Sequence, residues 1–213
     1  MAKLIVANFT ISLDGYAAGP GQRMDAPFGD GADALHDWMV GTRAFRESHG
    51  MEGGEEGPDN DRVLQAAGDF GATIMGRNMF GPQRGPWDDH EWQGWWGDNP
   101  PFHNDVFVMT HHPRPTLKLA GGTSFHFVDG TAEEVLARAV AATGGKDVQL
   151  SGGAGVIRQF LRARLVDELR IAVAPMFIGG GERLFDGLGD AMQGYRVVEQ
   201  VSTKAATHLL ITR

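Results

Sequence analysis

Residues 147–163 read Asp147-Val148-Gln149-Leu150, then Ser151-Gly152-Gly153-Ala154-Gly155, then Val156-Ile157-Arg158-Gln159-Phe160-Leu161-Arg162-Ala163. The first block is a strand, the glycine-rich block a turn and the last a helix. Whether the unit repeats decides the fold class, and upstream it does. Ala72-Thr73-Ile74-Met75 is a buried strand that runs into Gly76-Arg77-Asn78-Met79-Phe80 at the entry to a short helix. Val106 to Met109 and Phe125 to Val128 are two further strands, and Thr131 with Glu134 forms a capping box that opens a helix ended by Gly144. Lys3 to Ile11 is rich in strand formers and forms a first, central strand, broken by the turn chemistry of Asp14-Gly15. Leu35, Trp38, Met39 and Thr42 share one helix face, and a short helix from about Asp61 to Ala67 is capped by Gly68. Between them, the polar, acidic stretch from Arg46 to Asn60 is a surface loop with no core to offer. Downstream, Leu169, Ile171 and Val173 alternate along a strand, Gly179-Gly180-Gly181 interrupts, and two strands follow near Tyr195 to Val201 and Ala206 to Thr212. Strands separated by helices predict a mostly parallel α/β sheet, and the closing pair, with no helix between, an antiparallel edge. No repeat or long linker divides residues 1–213, so one domain is expected.

Composition narrows the chemistry. The chain has 213 residues, 42% of them hydrophobic, enough for one sizeable core. Nineteen Lys and Arg against 27 Asp and Glu leave a net charge of −8, which argues against nucleic acid as a partner. There is no cysteine, which excludes disulfides, thiolate metal sites and thiol nucleophiles. The apolar run before Asn8 is too short for a signal-peptide core and no stretch approaches the ~18 apolar residues of a membrane span, so a cytoplasmic protein with no membrane partner is expected.

In an open α/β sheet, ligands sit beyond the carboxyl ends of the strands, where turns expose backbone N–H groups. Three segments lie at such ends: Gly76-Arg77-Asn78, Thr110-His111-His112 and Ser151-Gly152-Gly153-Ala154-Gly155. A helix start attracts anions, and an arginine with two histidines adds cationic character to an acidic protein. The Gly-rich turn lacks both the G-x-G-x-x-G fingerprint and the Gly-Lys-Ser/Thr of a P-loop. The eight histidines show no His-x-x-x-His spacing, so no catalytic metal is expected, and no G-x-S-x-G elbow supports a serine hydrolase. Residues 86–102 carry four tryptophans, at 87, 92, 95 and 96. That aromatic surface either packs on the body or buries against a flat ligand or a second subunit, which would make a homodimer.

Together, Ser12-Leu13-Asp14-Gly15, the strand entering Gly76-Arg77, Gly152-Gly153-Ala154 before a helix, Leu165-Val166-Asp167-Glu168-Leu169 and Pro175 followed by Gly179-Gly180-Gly181-Glu182-Arg183-Leu184-Phe185 resemble the dihydrofolate reductase superfamily. The closer likeness is to the C-terminal reductase domain of the riboflavin-biosynthesis deaminase–reductase, and it covers about residues 3 to 212. The resemblance implies a three-layer fold with a mixed sheet of about eight strands, helices on both faces, and NADPH across the strands' carboxyl ends. By position, it assigns Gly76, Arg77, Asn78 and Met79 to phosphate, and Thr110, His111 and His112 to the adenosine ribose. Ser151, Gly152, Gly153, Ala154, Gly155, Val156 and Ile157 fall at the pyrophosphate turn, and Ala7, Asn8 and Tyr16 beside the nicotinamide. Asp14 and Asp37 are the candidate proton donors for hydride transfer. Riboflavin-pathway reductases typically carry Glu where this chain has Ser151. The resemblance thus implies an NADPH-dependent reductase of a small pterin or pyrimidine heterocycle, or a non-catalytic NADP-binding protein on the same fold.

Overall fold

The strand–helix alternation closes into a sheet of nine strands in the computed structural model, which describes residues 2–89 and 91–213. In chain order the elements are β1 (Leu4–Ser12), α1 (Asp37–Val40), α2 (Arg43–Ser48), α3 (Pro58–Ala66), β2 (Ala72–Gly76), α4 (Arg77–Phe80), β3 (Asp105–Met109), β4 (Leu117–Lys118), β5 (Ser124–Val128), α5 (Ala132–Ala142), β6 (Val148–Gly152), α6 (Ala154–Arg162), β7 (Glu168–Ala174), β8 (Arg196–Ser202) and β9 (Thr207–Thr212). The spatial order is β4-β5-β3-β2-β6-β1-β7-β9-β8. From β5 to β7 every pairing is parallel; β4 joins β5 antiparallel, and β9 and β8 form the antiparallel C-terminal edge. β1 lies inside the sheet between β6 and β7, as its apolar run predicts.

The period of two along each strand sorts the core into two faces. Ile74, Phe107, Leu150, Leu169 and Ile171 meet Val135 and Ala139 of α5 and Ile157, Phe160 and Leu161 of α6 on one face. The alternate residues Met75, Val106, Val108, Phe125 and Phe127 lie on the other, beneath Phe80 of α4 and Trp87. Further along that second face, Trp38 of α1 packs on Ala172 and donates Nε1–H to the Thr10 hydroxyl at 3.2 Å. The two covered regions leave a gap over β6 and β1.

The Thr131–Glu134 capping box is present, with both reciprocal hydrogen bonds opening α5. Other details depart from the sequence reading. The helix expected through Leu35 and Thr42 is broken at Gly41, where α1 ends, and Thr42 caps α2 instead. Leu35, Trp38 and Thr42 are all buried, so their spacing marked burial correctly while the helix was interrupted. The stretch from Arg46 to Asn60 is not structureless: it holds the end of α2 and the start of α3, and buried Asn60 accepts from the Ala44 N–H at 2.7 Å. Pro58 sits in the first turn of α3, where a missing N–H costs nothing. α3 stops at Ala66 with Ala67 as its cap, so Gly68 does not end it. The ninth strand, β4, has two residues and followed no pattern.

Candidate functional site

The gap on the second face is a cleft of about 840 Å³. Its floor is Asn8 and Thr10 of β1, Gln149 and Ser151 of β6 and Met109 of β3; Trp95, Trp96 and Phe102 form one wall, and Phe28, His36 and Met39 another. The carboxyl ends of β2, β3 and β6 open into it, so the strand-to-helix turns singled out from the sequence come together.

Of the residues expected at a dinucleotide, Ala7, Asn8, Gly76, Arg77, Asn78, Met79, Thr110, His111, His112, Ser151, Gly153, Ala154, Gly155 and Val156 line the cleft, whereas Tyr16, Gly152 and Ile157 do not. Tyr16 lies under the Arg183 guanidinium, 4.9 Å from its ring centroid, and Ile157 is fully buried in the core. Gly152 is buried at φ 124°, and a Cβ there would lie 2.7 Å from the Phe9 ring. Gly153 differs: its φ is −70°, it is the N-cap of α6 without a side-chain cap, and a Cβ there would meet nothing within 4 Å. The start of α6 therefore faces open cleft. A Cβ on Gly76 would lie 2.6 Å from a Val156 methyl, so glycine there lets the starts of α4 and α6 approach. Asn8 sits in the left-handed region at φ 51°, where the pairing of β1 with β7 shifts register, and donates its amide to the Arg62 carbonyl at 2.7 Å. Such positions cluster where a strand is re-aimed at a site.

Arg77 follows Gly76 directly. Its Nη1 donates to the Gly85 carbonyl and its guanidinium lies 3.8 Å from the Trp87 ring centroid, while Nε and Nη2 are buried without a partner. Burial, with repulsion from Arg84, lowers its pKa from the ordinary value. Arg114 also lies on Trp87, at 4.3 Å, and on Phe127 at 4.2 Å; burial first, then Arg77, lowers its pKa too. Packed cations that depress one another are relieved by a bound anion.

The histidines contribute differently from expectation. The His111 side chain is 91% exposed and its Nδ1 is 2.9 Å from an Asp129 carboxylate oxygen. His112 accepts from Trp87 Nε1–H through its carbonyl at 2.6 Å, and its N–H donates to the Thr110 hydroxyl at 3.1 Å. Of the packed arginines Arg77 is the one that lines the cleft, and His111 already has a carboxylate.

Neither candidate acid reaches the cleft. Asp14 accepts from the Ser12 hydroxyl at 2.6 Å and from the N–H groups of Gly179 and Ile178 at 2.8 and 3.1 Å. The Ser12 bond, with those backbone N–H bonds, holds its pKa below the usual carboxylate value. Its work is to tie the end of β1 to the loop that follows β7. Asp37 is exposed in α1 and turned away from the cleft lining.

His36, one residue earlier, was not marked by any motif and lines the cleft. Its ring centroid is 4.4 Å from that of Phe28, its Nδ1 is buried without a partner, and burial pushes its pKa down to about 4. Ser151 Oγ is likewise buried and unpartnered. Of the four tryptophans, Trp87 is buried, Trp92 donates Nε1–H to the Phe80 carbonyl at 3.0 Å, and Trp96 packs on Phe102 and Phe125 while bordering the cleft with Trp95.

Comparison with known proteins places this geometry. The family model described as RibD C-terminal domain matches residues 3–209. A putative riboflavin biosynthesis protein from Shewanella sp. PV-4 is similar over 100% of this chain and 99% of its own, with 21% identity and a TM-score of 0.61. Dihydrofolate reductase from Enterococcus faecalis, complexed with NADP(H), is similar over 100% of this chain and 96% of its own, with 16% identity and a TM-score of 0.53. The uncharacterized protein YyaP of Bacillus subtilis (strain 168) is 46% identical over 41 residues, which are 19% of this chain and 22% of that protein. The chain belongs to the RibD C-terminal domain family, a family of reductases, on a fold shared with dihydrofolate reductases.

Proposed function

We propose that this protein is an NADPH-dependent oxidoreductase that transfers hydride to a small planar heterocycle of the pterin or pyrimidine class. The observation that carries this reading is Arg77, the first residue of α4, which lines the cleft and whose guanidinium keeps two buried nitrogens, Nε and Nη2, without a partner. The residues present fit a dinucleotide phosphate: Arg77 Nε and Nη2 lie side by side for a two-point contact, and the first N–H groups of α6 follow a Gly153 that leaves the approach clear. NADPH bound here supplies the hydride. Ala7 and Asn8, at the irregularity in β1, would flank the nicotinamide, and Trp95, Trp96 and Phe102 would shield one side from water. Among the described lining residues the one carboxylate is Glu182, paired with Arg158 at 3.3 Å, so the proton that accompanies hydride comes from water.

The missing free acid also favours a second reading, a non-catalytic NADP-binding protein. Turnover separates the two. Loss of the reduced nicotinamide's absorbance with pterin or pyrimidine acceptors is expected; saturable NADPH binding with no oxidation by any acceptor of these classes would select the second.

A further inference from the structure

The cleft extends well beyond Arg77. That residue follows β2, whereas His36 precedes α1, whose Trp38 rests on Thr10 of β1. β6 lies between those strands, so the two ends are set over strands two places apart in the sheet. Among the described residues lining the whole cleft, Arg77 is the one Lys or Arg, and Glu182, in the loop after β7, is held by Arg158 of α6. The guanidiniums behind Asn8 are also taken: Arg62 pairs with Glu199, and Arg170 with Glu168 at 2.6 Å. Among the described lining residues the His36 end therefore presents no unpaired charge; the Asp37 carboxylate, which acts on His36, lies outside the lining.

What it offers is neutral and unmet. His36 Nδ1 and Ser151 Oγ are both shielded from solvent and unpartnered, and they share the cleft with the flat surface of Phe28 and the side chain of Met39. Held well below its ordinary pKa, the imidazole is uncharged at neutral pH. A neutral imidazole nitrogen and a hydroxyl suit ring carbonyl and ring N–H groups. A phosphate or carboxylate would be desolvated there without a cation, and a protonated aminopyrimidine without a carboxylate.

We infer that the substrate is an uncharged planar ring compound, held by its carbonyl and N–H edge at His36 and Ser151, and that phosphorylated or carboxylated relatives of it are excluded. The inference rests on assigning the Arg77 end to the dinucleotide.

Calorimetry tests it in two steps. Titration with NADP⁺ comes first; the protein saturated with NADP⁺, which cannot turn over, is then titrated with lumazine, neutral at pH about 7, and with lumazine-6-carboxylate. Lumazine is expected to bind at least ~10-fold more tightly than the carboxylate. His36→Asn and Ser151→Ala each weaken lumazine about 10-fold, and His36→Asn leaves NADP⁺ affinity unchanged. Ser151→Lys, which adds a cation to this end, shifts the preference toward the carboxylate. Equal or tighter binding of the carboxylate to the wild-type protein, or no binding of lumazine, overturns the inference while the dinucleotide assignment stands. Failure of the first titration overturns both.

Discussion

The two ends of the cleft are built by different means. At the Arg77 end, parallel strands deliver their turns to one edge: Gly76 and Gly153 cap α4 and α6, and Arg77 stacks on Trp87. At the His36 end Phe28 and His36 come from the irregular chain between β1 and α1, and the two unpartnered atoms, His36 Nδ1 and Ser151 Oγ, carry no charge. Regular secondary structure positions the part of the site that a common cofactor requires, and irregular chain shapes the part that distinguishes one substrate from another.

Neighbouring glycines give the sharpest way to break this contrast. Gly153→Val projects a branched side chain into the cleft at the start of α6, where a Cβ meets nothing within 4 Å. NADPH binding is expected to fall beyond detection with circular dichroism unchanged; a folded variant that binds normally would make that turn structural only. Gly152→Ala should do the reverse. Its φ of 124° and the Phe9 ring 2.7 Å from the new Cβ predict a loss of about 2–4 kcal/mol in denaturant unfolding. Wild-type stability for Gly152→Ala would refute the packing described at that position.

The His36 end is sharpened by pH. Its folded pKa of about 4 lies below the ordinary value near 6.5, so the unfolded chain takes up the proton first as pH falls. The corresponding stability is complete above about pH 6.5 and is lost progressively toward pH 4, by up to about 3 kcal/mol. His36→Phe should flatten the stability profile in that window, and an unchanged slope would place His36 in solvent. The smallest effect is remote from both ends: Thr131→Ala removes the cap of α5 and should cost about 1 kcal/mol without altering cofactor affinity.

The same division governs what the sequence could disclose. Buried parallel strands such as Ala72–Gly76 read as apolar runs, and glycines and the Thr131–Glu134 box punctuate them, so most of the sheet and the Arg77 end were legible. The two-residue β4 was not, because it has too few residues to carry a period. Asp14 and Asp37 were plausible acids by type and place, but a carboxylate's direction is settled by tertiary contacts. The N–H groups of Ile178 and Gly179, more than 160 residues along the chain, claim Asp14. The break at Gly41, which shortens α1, was equally invisible, and with it the setting of His36 beside Phe28.

The central claim is that Arg77 reads the 2′-phosphate of NADPH. Titration of the wild-type protein and Arg77→Ala with NADPH and NADH, followed by tryptophan fluorescence, tests it directly because Trp87, Trp95 and Trp96 lie in or beside the cleft. NADPH is expected to bind more tightly than NADH, and Arg77→Ala to abolish the difference at a cost of about 1.5–3 kcal/mol in NADPH binding. Equal affinity of the wild-type protein for the two cofactors, or a preference that survives the substitution, would contradict it.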